Sequence, residues 1–375
     1  PPPRAPATTS RSGTMSSRSR STAAALRPTP AYIANNRKKS VLCLCGGGVR
    51  GILSAIFVQR LDAVIQAKYS VPGKRRVRVW DVVDEIYGTS TGAIIAALLT
   101  IGIEPSAIVD LYKNHAGDIF PQSSINAVAA AAKPKYDPAG RLDIARRFMG
   151  RRRMNDQTVY AGIARPKILT CDLSNLKTRV FTDADDVPFV DVLMAATAAP
   201  TFFPAVKIGT TFFCDGGIAE NHPGLEVAKD LRAVEYVATI GTGMAPTNYQ
   251  HLHNAGLLHW APCFVDVFVD SSQAAADDVL RAIFGETRSD MINVTLPPVK
   301  MSLDDPTTIP QLVSIASDFV KDNRALFETV AAKLQQAASG RGVGRSRKVT
   351  SGSQHPDDRD GSDDMGDEPT SPSVA

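Results

Sequence analysis

The feature that most narrows the possible folds is a short apolar run, Ser40-Val41-Leu42-Cys43-Leu44-Cys45, that stops at Gly46-Gly47-Gly48. Six residues with no polar alternation read as a strand buried on both faces, the habit of strands in a parallel sheet. After Gly51 the apolar stripe Ile52, Ala55, Ile56, Val58, Leu61, Val64 and Ile65 has helical spacing. The same alternation recurs along the chain. A second strand ends near residues 85–87 and runs through Gly88 into a helix over 91–100. Residues 104–160 read as helical and loop-rich, with an alanine run at 127–132. Strands follow at 167–172, 179–182, 211–214 and 236–240, with helices at 189–199, 224–231 and about 310–338. Strands alternating with helices predict an α/β domain around a largely parallel sheet.

Both ends of the 375-residue chain fall outside this pattern. Residues 1–37 are rich in Pro, Ser, Thr and Arg and have no hydrophobic period, so disorder is expected there. An organelle transit peptide has the same composition, and the two readings stay open. The chain opens on Pro1, and Met15 could serve as a start. Residues 341–375 are rich in Gly, Ser and Asp and read as a disordered acidic tail, leaving 38–340 as the expected domain.

Net charge is only +4, which gives no general argument for binding nucleic acid, and none is expected. Five cysteines, Cys43, Cys45, Cys171, Cys214 and Cys263, form no metal-ligand spacing and point to a reducing, intracellular compartment. No apolar stretch approaches a membrane span and no secretory signal is recognisable, so membrane contact is expected to be peripheral.

Three motifs carry chemistry. Gly88-Thr89-Ser90-Thr91-Gly92 is a Gly-x-Ser-x-Gly pentapeptide between a strand and a helix, which makes a tight elbow and lifts the serine hydroxyl above the sheet. The helix start behind Ser90 favours developing negative charge. Gly46-Gly47-Gly48-Val49-Arg50-Gly51 presents unobstructed backbone amides. It can be read as an oxyanion hole built on the Gly47 and Gly48 amides, or as a dinucleotide loop, since it also spells G-x-G-x-x-G. The dinucleotide reading calls for a carboxylate about 20 residues on. That neighbourhood is Val71-Pro72-Gly73-Lys74-Arg75-Arg76, which has none. Asp215-Gly216-Gly217 places a carboxylate at the end of the apolar run Thr211–Cys214, where desolvation would raise its basicity. Asp-Gly is also an ordinary turn signal.

In this order on one α/β chain, the three motifs resemble the signature of the patatin-like phospholipases. Ala195-Ala196-Thr197-Ala198-Ala199-Pro200-Thr201-Phe202-Phe203-Pro204 and Asn221-His222-Pro223 support the resemblance, which spans roughly residues 39–335. It implies a three-layer α/β/α sandwich with a largely parallel central sheet. It also implies a lipid acyl hydrolase of phospholipase A type, acting in lipid catabolism. In that scheme Ser90 is the nucleophile, Asp215 the proton acceptor, and residues Gly46 to Gly51 the oxyanion loop. The substrate is a phospholipid or other acyl ester, and neither metal nor other cofactor is called for. Cys45 stands where many relatives carry Asp, and His222 where many carry Asn.

Other readings compete. A catalytically inactive nucleotide-binding or interaction protein could use the same fold. A Ser-Asp-His triad could recruit His251, His253 or His259, and His222 is the histidine expected to line the cleft. The basic groups at 74–78 and 151–153 read as solvated loops, or as attractors for anionic lipid headgroups. Leu257, Leu258, Trp260, Phe264 and Phe268 read as core, or as an interfacial surface or lid.

Overall fold

The structure is a computed structural model that describes residues 38–121, 133–244, 249–298 and 301–339. The expected disordered ends, 1–37 and 341–375, and the alanine run at 127–132 lie outside these residues.

The run at residue 40 forms strand β1, Lys39–Leu44. The others are β2 Glu85–Thr89, β3 Arg165–Asp172, β4 Lys177–Thr182, β5 Val206–Ile208, β6 Thr211–Asp215, β7 Val234–Ile240 and β8 Ser289–Ile292. They join one sheet in the order β5-β6-β3-β2-β1-β7-β8, with β4 paired to β3. The stretch β3-β2-β1-β7-β8 is parallel throughout, while β4, β5 and β6 pair antiparallel.

Side-chain alternation on β1 shows why helices cover both faces. Leu42 and Leu44 join the large core that includes Phe57 and Leu61 of the helix Gly51–Tyr69 and Phe327 and Leu334 of the helix Arg324–Ser339. Val41 and Cys43 point the other way, into a cluster with Val227, Val237, Leu280 and Phe284. Helices Gly224–Ala228 and Leu257–Arg288 supply that second layer. The result is an α/β sandwich of helix, mostly parallel sheet and helix.

Several elements differ from the expectation. The single helix expected near 310–338 is two, Ile309–Asp322 and Arg324–Ser339, because Asn323 leaves helical geometry at φ −110°, ψ 34°. The helical segment Leu257–Arg288, which is broken at Gly285 (φ 68°, ψ 171°), and the short strands β5 and β8 have no counterpart in the sequence reading. Arg78 is not in a solvated loop: it is buried, pairs with Asp62 at 2.9 Å and with Glu104, and lies over the Trp80 ring. Arg153 pairs with Asp186 on the surface.

Candidate active site

β2 runs straight into Ser90, and the helix Thr91–Thr100 starts on the next residue. Ser90 takes φ 54°, ψ −122°, a conformation that non-glycine residues rarely hold without a compensating framework. That framework is close packing. A Cβ on Gly92 would stand 2.2 Å from the Leu44 carbonyl oxygen, so only glycine lets this helix lie against the end of β1. The Thr91 hydroxyl is hydrogen-bonded to the Tyr112 hydroxyl, which ties the helix start to the helix Pro105–Ile119.

Asp215 ends β6, where its amide donates to the Ala198 carbonyl at 3.0 Å. Its carboxylate accepts the Gly217 amide at 2.8 Å and stands close enough to Ser90 for the serine hydroxyl to help hold its pKa down. The group is 4 % exposed. Burial pushes its pKa up from 3.8 to about 6, against the opposing pull of the Ser90 hydroxyl, the Gly217 amide and the Arg141 charge. The structure thus brings together two residues 125 positions apart in sequence, with a carboxylate made more basic than an exposed aspartate.

The glycine loop flanks this pair. Gly46 is held by Asn221, whose carbonyl accepts the Gly46 amide at 3.2 Å, and its own carbonyl accepts the Thr242 hydroxyl at 2.8 Å. The amides of Val49, Arg50 and Gly51 donate to backbone carbonyls. Among the described residues the Gly47 and Gly48 amides have no acceptor, and both residues line a cavity of about 170 Å³ that also holds Ser90 and Asp215. Gly48 has φ +54°, and the Leu303 carbonyl stands 2.0 Å from where a Cβ would be. Of the six loop residues, Gly47, Gly48 and Val49 line the cavity.

Arg50 turns away from it. The buried guanidinium bonds Asp270 at 3.0 Å and the Met301 carbonyl at 3.1 Å, with Asp266 at 3.6 Å. It therefore locks the loop to the helix Leu257–Arg288 instead of facing a substrate. In the elbow, Ser90 and Thr91 line the cavity, while the Thr89 hydroxyl donates to the Glu220 carbonyl at 3.1 Å. Gly88 is packed against the Gly92 backbone. Gly216 lies against the Leu169 carbonyl, and Gly217 lines the cavity.

The histidine expected to line the cleft does not. His222 is 1 % exposed, accepts the Gly224 amide on Nδ1 at 3.0 Å, and is not part of the cavity lining. Burial lowers its pKa to about 4, so it is neutral at physiological pH. His253 and His259 are exposed and line no part of the cavity, and the side chain of His251 lies outside the described residues, as do those of Leu257, Leu258 and Phe264. Phe268 does line the cavity.

Most of the remaining wall is apolar, with Ile94, Phe120, Phe202, Phe203 and Ile218 prominent. One charged wall residue was not singled out from the sequence: Arg141, on the helix Ala139–Met149. Nothing distinguishes it there from Arg146 or Arg147, its neighbours on the same helix. Among the described residues no group of three or more His, Cys, Asp or Glu side chains could hold a metal ion, and no helix is long and apolar enough to cross a membrane.

The chain is similar to several known proteins. Patatin-like protein 2 of Oryza sativa subsp. indica is 27 % identical over 307 residues, covering 65 % of this chain and 73 % of the relative. A cGAMP-activated phospholipase of Escherichia coli is 28 % identical over 221 residues, covering 54 % of this chain and 61 % of that protein. Among solved structures, VipD from Legionella pneumophila aligns over 81 % of this chain and 67 % of its own, at 12 % identity and a TM-score of 0.43. Residues 42–227 match the family model described as Patatin-like phospholipase, and with these relatives the chain belongs to the patatin-like phospholipase family.

Proposed function

We propose that the protein is a lipid acyl hydrolase of phospholipase A type, with Ser90 as nucleophile and Asp215 as its proton acceptor. The observation that carries this reading is that Ser90, at a strained elbow, and Asp215, a buried carboxylate of raised basicity, line one apolar cavity. An ionised Asp215 accepts the hydroxyl proton as the Ser90 oxygen attacks the ester carbonyl. The oxyanion so formed takes hydrogen bonds from the Gly47 and Gly48 amides, each such donor contributing about 3 kcal/mol to transition-state stability. Collapse expels the alcohol, which leaves with the proton held by Asp215. Water, deprotonated in turn by Asp215, then attacks the acyl-enzyme, releases the fatty acid and restores the serine.

The apolar wall suits an acyl chain; in this reading the substrate is a phospholipid or related acyl ester met at a lipid surface, the role is in lipid catabolism, and membrane contact is peripheral. The name of the Escherichia coli relative, a cGAMP-activated phospholipase, supports the phospholipid class. Ser90→Ala is expected to abolish ester hydrolysis in a lipid panel. A fluorophosphonate probe is expected to label the wild type at Ser90, read by peptide mass spectrometry. Labelling at another serine, or full turnover in Ser90→Ala, sinks the assignment.

A further inference from the structure

Arg141 is 4 % exposed, yet among the described residues its guanidinium is hydrogen-bonded to no carboxylate. One terminal nitrogen, Nη1, donates to the Thr197 hydroxyl at 2.7 Å and the Met194 carbonyl at 3.2 Å. The other two, Nε and Nη2, are buried without a hydrogen-bond partner. Its face lies 3.9 Å from the centre of the Phe203 ring. On its far side a second cavity, lined by Leu98, Leu111, Phe148 and Met149 among others, offers no counter-charge. A buried cation in such surroundings is expensive to keep, and an apolar side chain of equal length would fold more easily.

The anion in the same cavity wall is Asp215. Arg141 and Asp215 are the charged side chains that line the cavity among the described residues. Both are anchored on the same turn: Arg141 on Met194 and Thr197, Asp215 through its amide on Ala198. The other groups around Asp215 are uncharged. They are the Ser90 hydroxyl from the elbow, the Gly217 amide, Asn221 in the cavity wall, and the Cys171 and Cys214 thiols of β3 and β6, which burial keeps protonated. Glu220, the next carboxyl along the chain, is taken up by the Glu226 amide and does not line the cavity.

We propose that Arg141 is a positioning residue for the reaction: its buried charge holds Asp215 ionised at neutral pH, ready to take the Ser90 proton. The proposal rests on the reading of Ser90 and Asp215 given above. At low dielectric a charge acts well beyond hydrogen-bond reach, and the bridging turn fixes the separation of the two groups. An arginine suits the task because burial deprotonates its guanidinium less readily than a lysine ammonium. Even here, where burial lowers its pKa to about 10, Arg141 is charged through the working range.

The test is the pH profile of kcat/KM on an uncharged, soluble short-chain ester, for wild type, Arg141→Met, Arg141→Gln and Arg141→Lys, each checked for folding by thermal melt. In the neutral variants the acidic limb is expected to move up by about one pH unit. Their rate at pH 6 then falls about tenfold relative to their own plateau at pH 8–9. Arg141→Lys is expected to stay nearer the wild-type limb. Two neutral variants are included so that one folded protein suffices. An unmoved limb with a lower plateau would show a merely structural arginine and overturn the proposal. An unmoved limb with a raised KM confined to phospholipids would also overturn it, in favour of a substrate-anion contact. Asp215→Asn separates the two levels: if it keeps wild-type turnover the dyad reading itself has failed. If it is inactive while the Arg141 limb does not move, only this proposal has failed.

Discussion

At Asp215 the needs of stability and of chemistry oppose each other. Its pKa stands at about 6 in the folded protein against 3.8 for an unperturbed aspartate, so the native state binds this proton more tightly than the unfolded chain does. Stability therefore falls as pH rises from 3.8 through 6, and above 6 the full cost of the buried charge is present. Two units correspond to roughly 3 kcal/mol at most. Asp215→Asn removes that cost while keeping an acceptor for the Gly217 amide. It is expected to lose turnover by about a thousandfold or more, because residues that act as a unit fail together. The same variant is expected to melt at a higher temperature than wild type at pH 8, with the gap closing as pH falls toward 4. A melt series with activity assays checks both halves. A variant that is inactive and also less stable at pH 8 would contradict the account of the buried carboxylate. In the wild type, activity should rise through about pH 6 as Asp215 ionises.

Among the elements, the elbow from β2 to the helix Thr91–Thr100 depends on side chains that are absent. Gly92→Ala would drive a methyl group to 2.2 Å from the Leu44 carbonyl oxygen, forcing the helix off β1 and tilting Ser90. A loss of about 1–3 kcal/mol and of most activity is expected. Gly117, in the helix Pro105–Ile119, has nothing within 4 Å of its missing Cβ, and Gly117→Ala should stabilise the protein by about 0.5–1 kcal/mol with activity intact. Denaturant titration of the pair gives opposite signs if the packing reading is right. The pentapeptide could be read from sequence because it follows a buried run and precedes an apolar helix, both local patterns. The helix Leu257–Arg288 could not, since part of what fixes it is remote: Arg50 reaches it through Asp266 and Asp270.

Over the whole molecule, the two faces of β1 feed two separate cores, and every core and cavity residue named above falls between residues 39 and 339. We propose residues 38–340 as the catalytic domain. A chain trimmed to that range is expected to fold and to keep its turnover on a soluble short-chain ester. Differences from the full chain should show mainly on anionic vesicles, where the basic N-terminal and acidic C-terminal segments carry opposite charge, and should shrink with added salt. Loss of turnover on the soluble ester after trimming would place a necessary contact in one of the ends and refute these boundaries.

The chain by itself determined the order of strands and helices and the positions of its three motifs. A buried strand, a glycine turn and an amphipathic helix are each written in neighbouring residues, as at Val41 to Ile65 and Glu85 to Thr100. Tertiary structure decided what the motifs face. It buried His222 away from the cavity lining and turned Arg50 into a clamp, and it left the Gly47 and Gly48 amides open in the cavity that holds Ser90. It raised the basicity of Asp215 and brought Arg141 into the same cavity wall. Desolvation and charge act through space, between residues 74 positions apart in this pair, and no local pattern in the sequence records them.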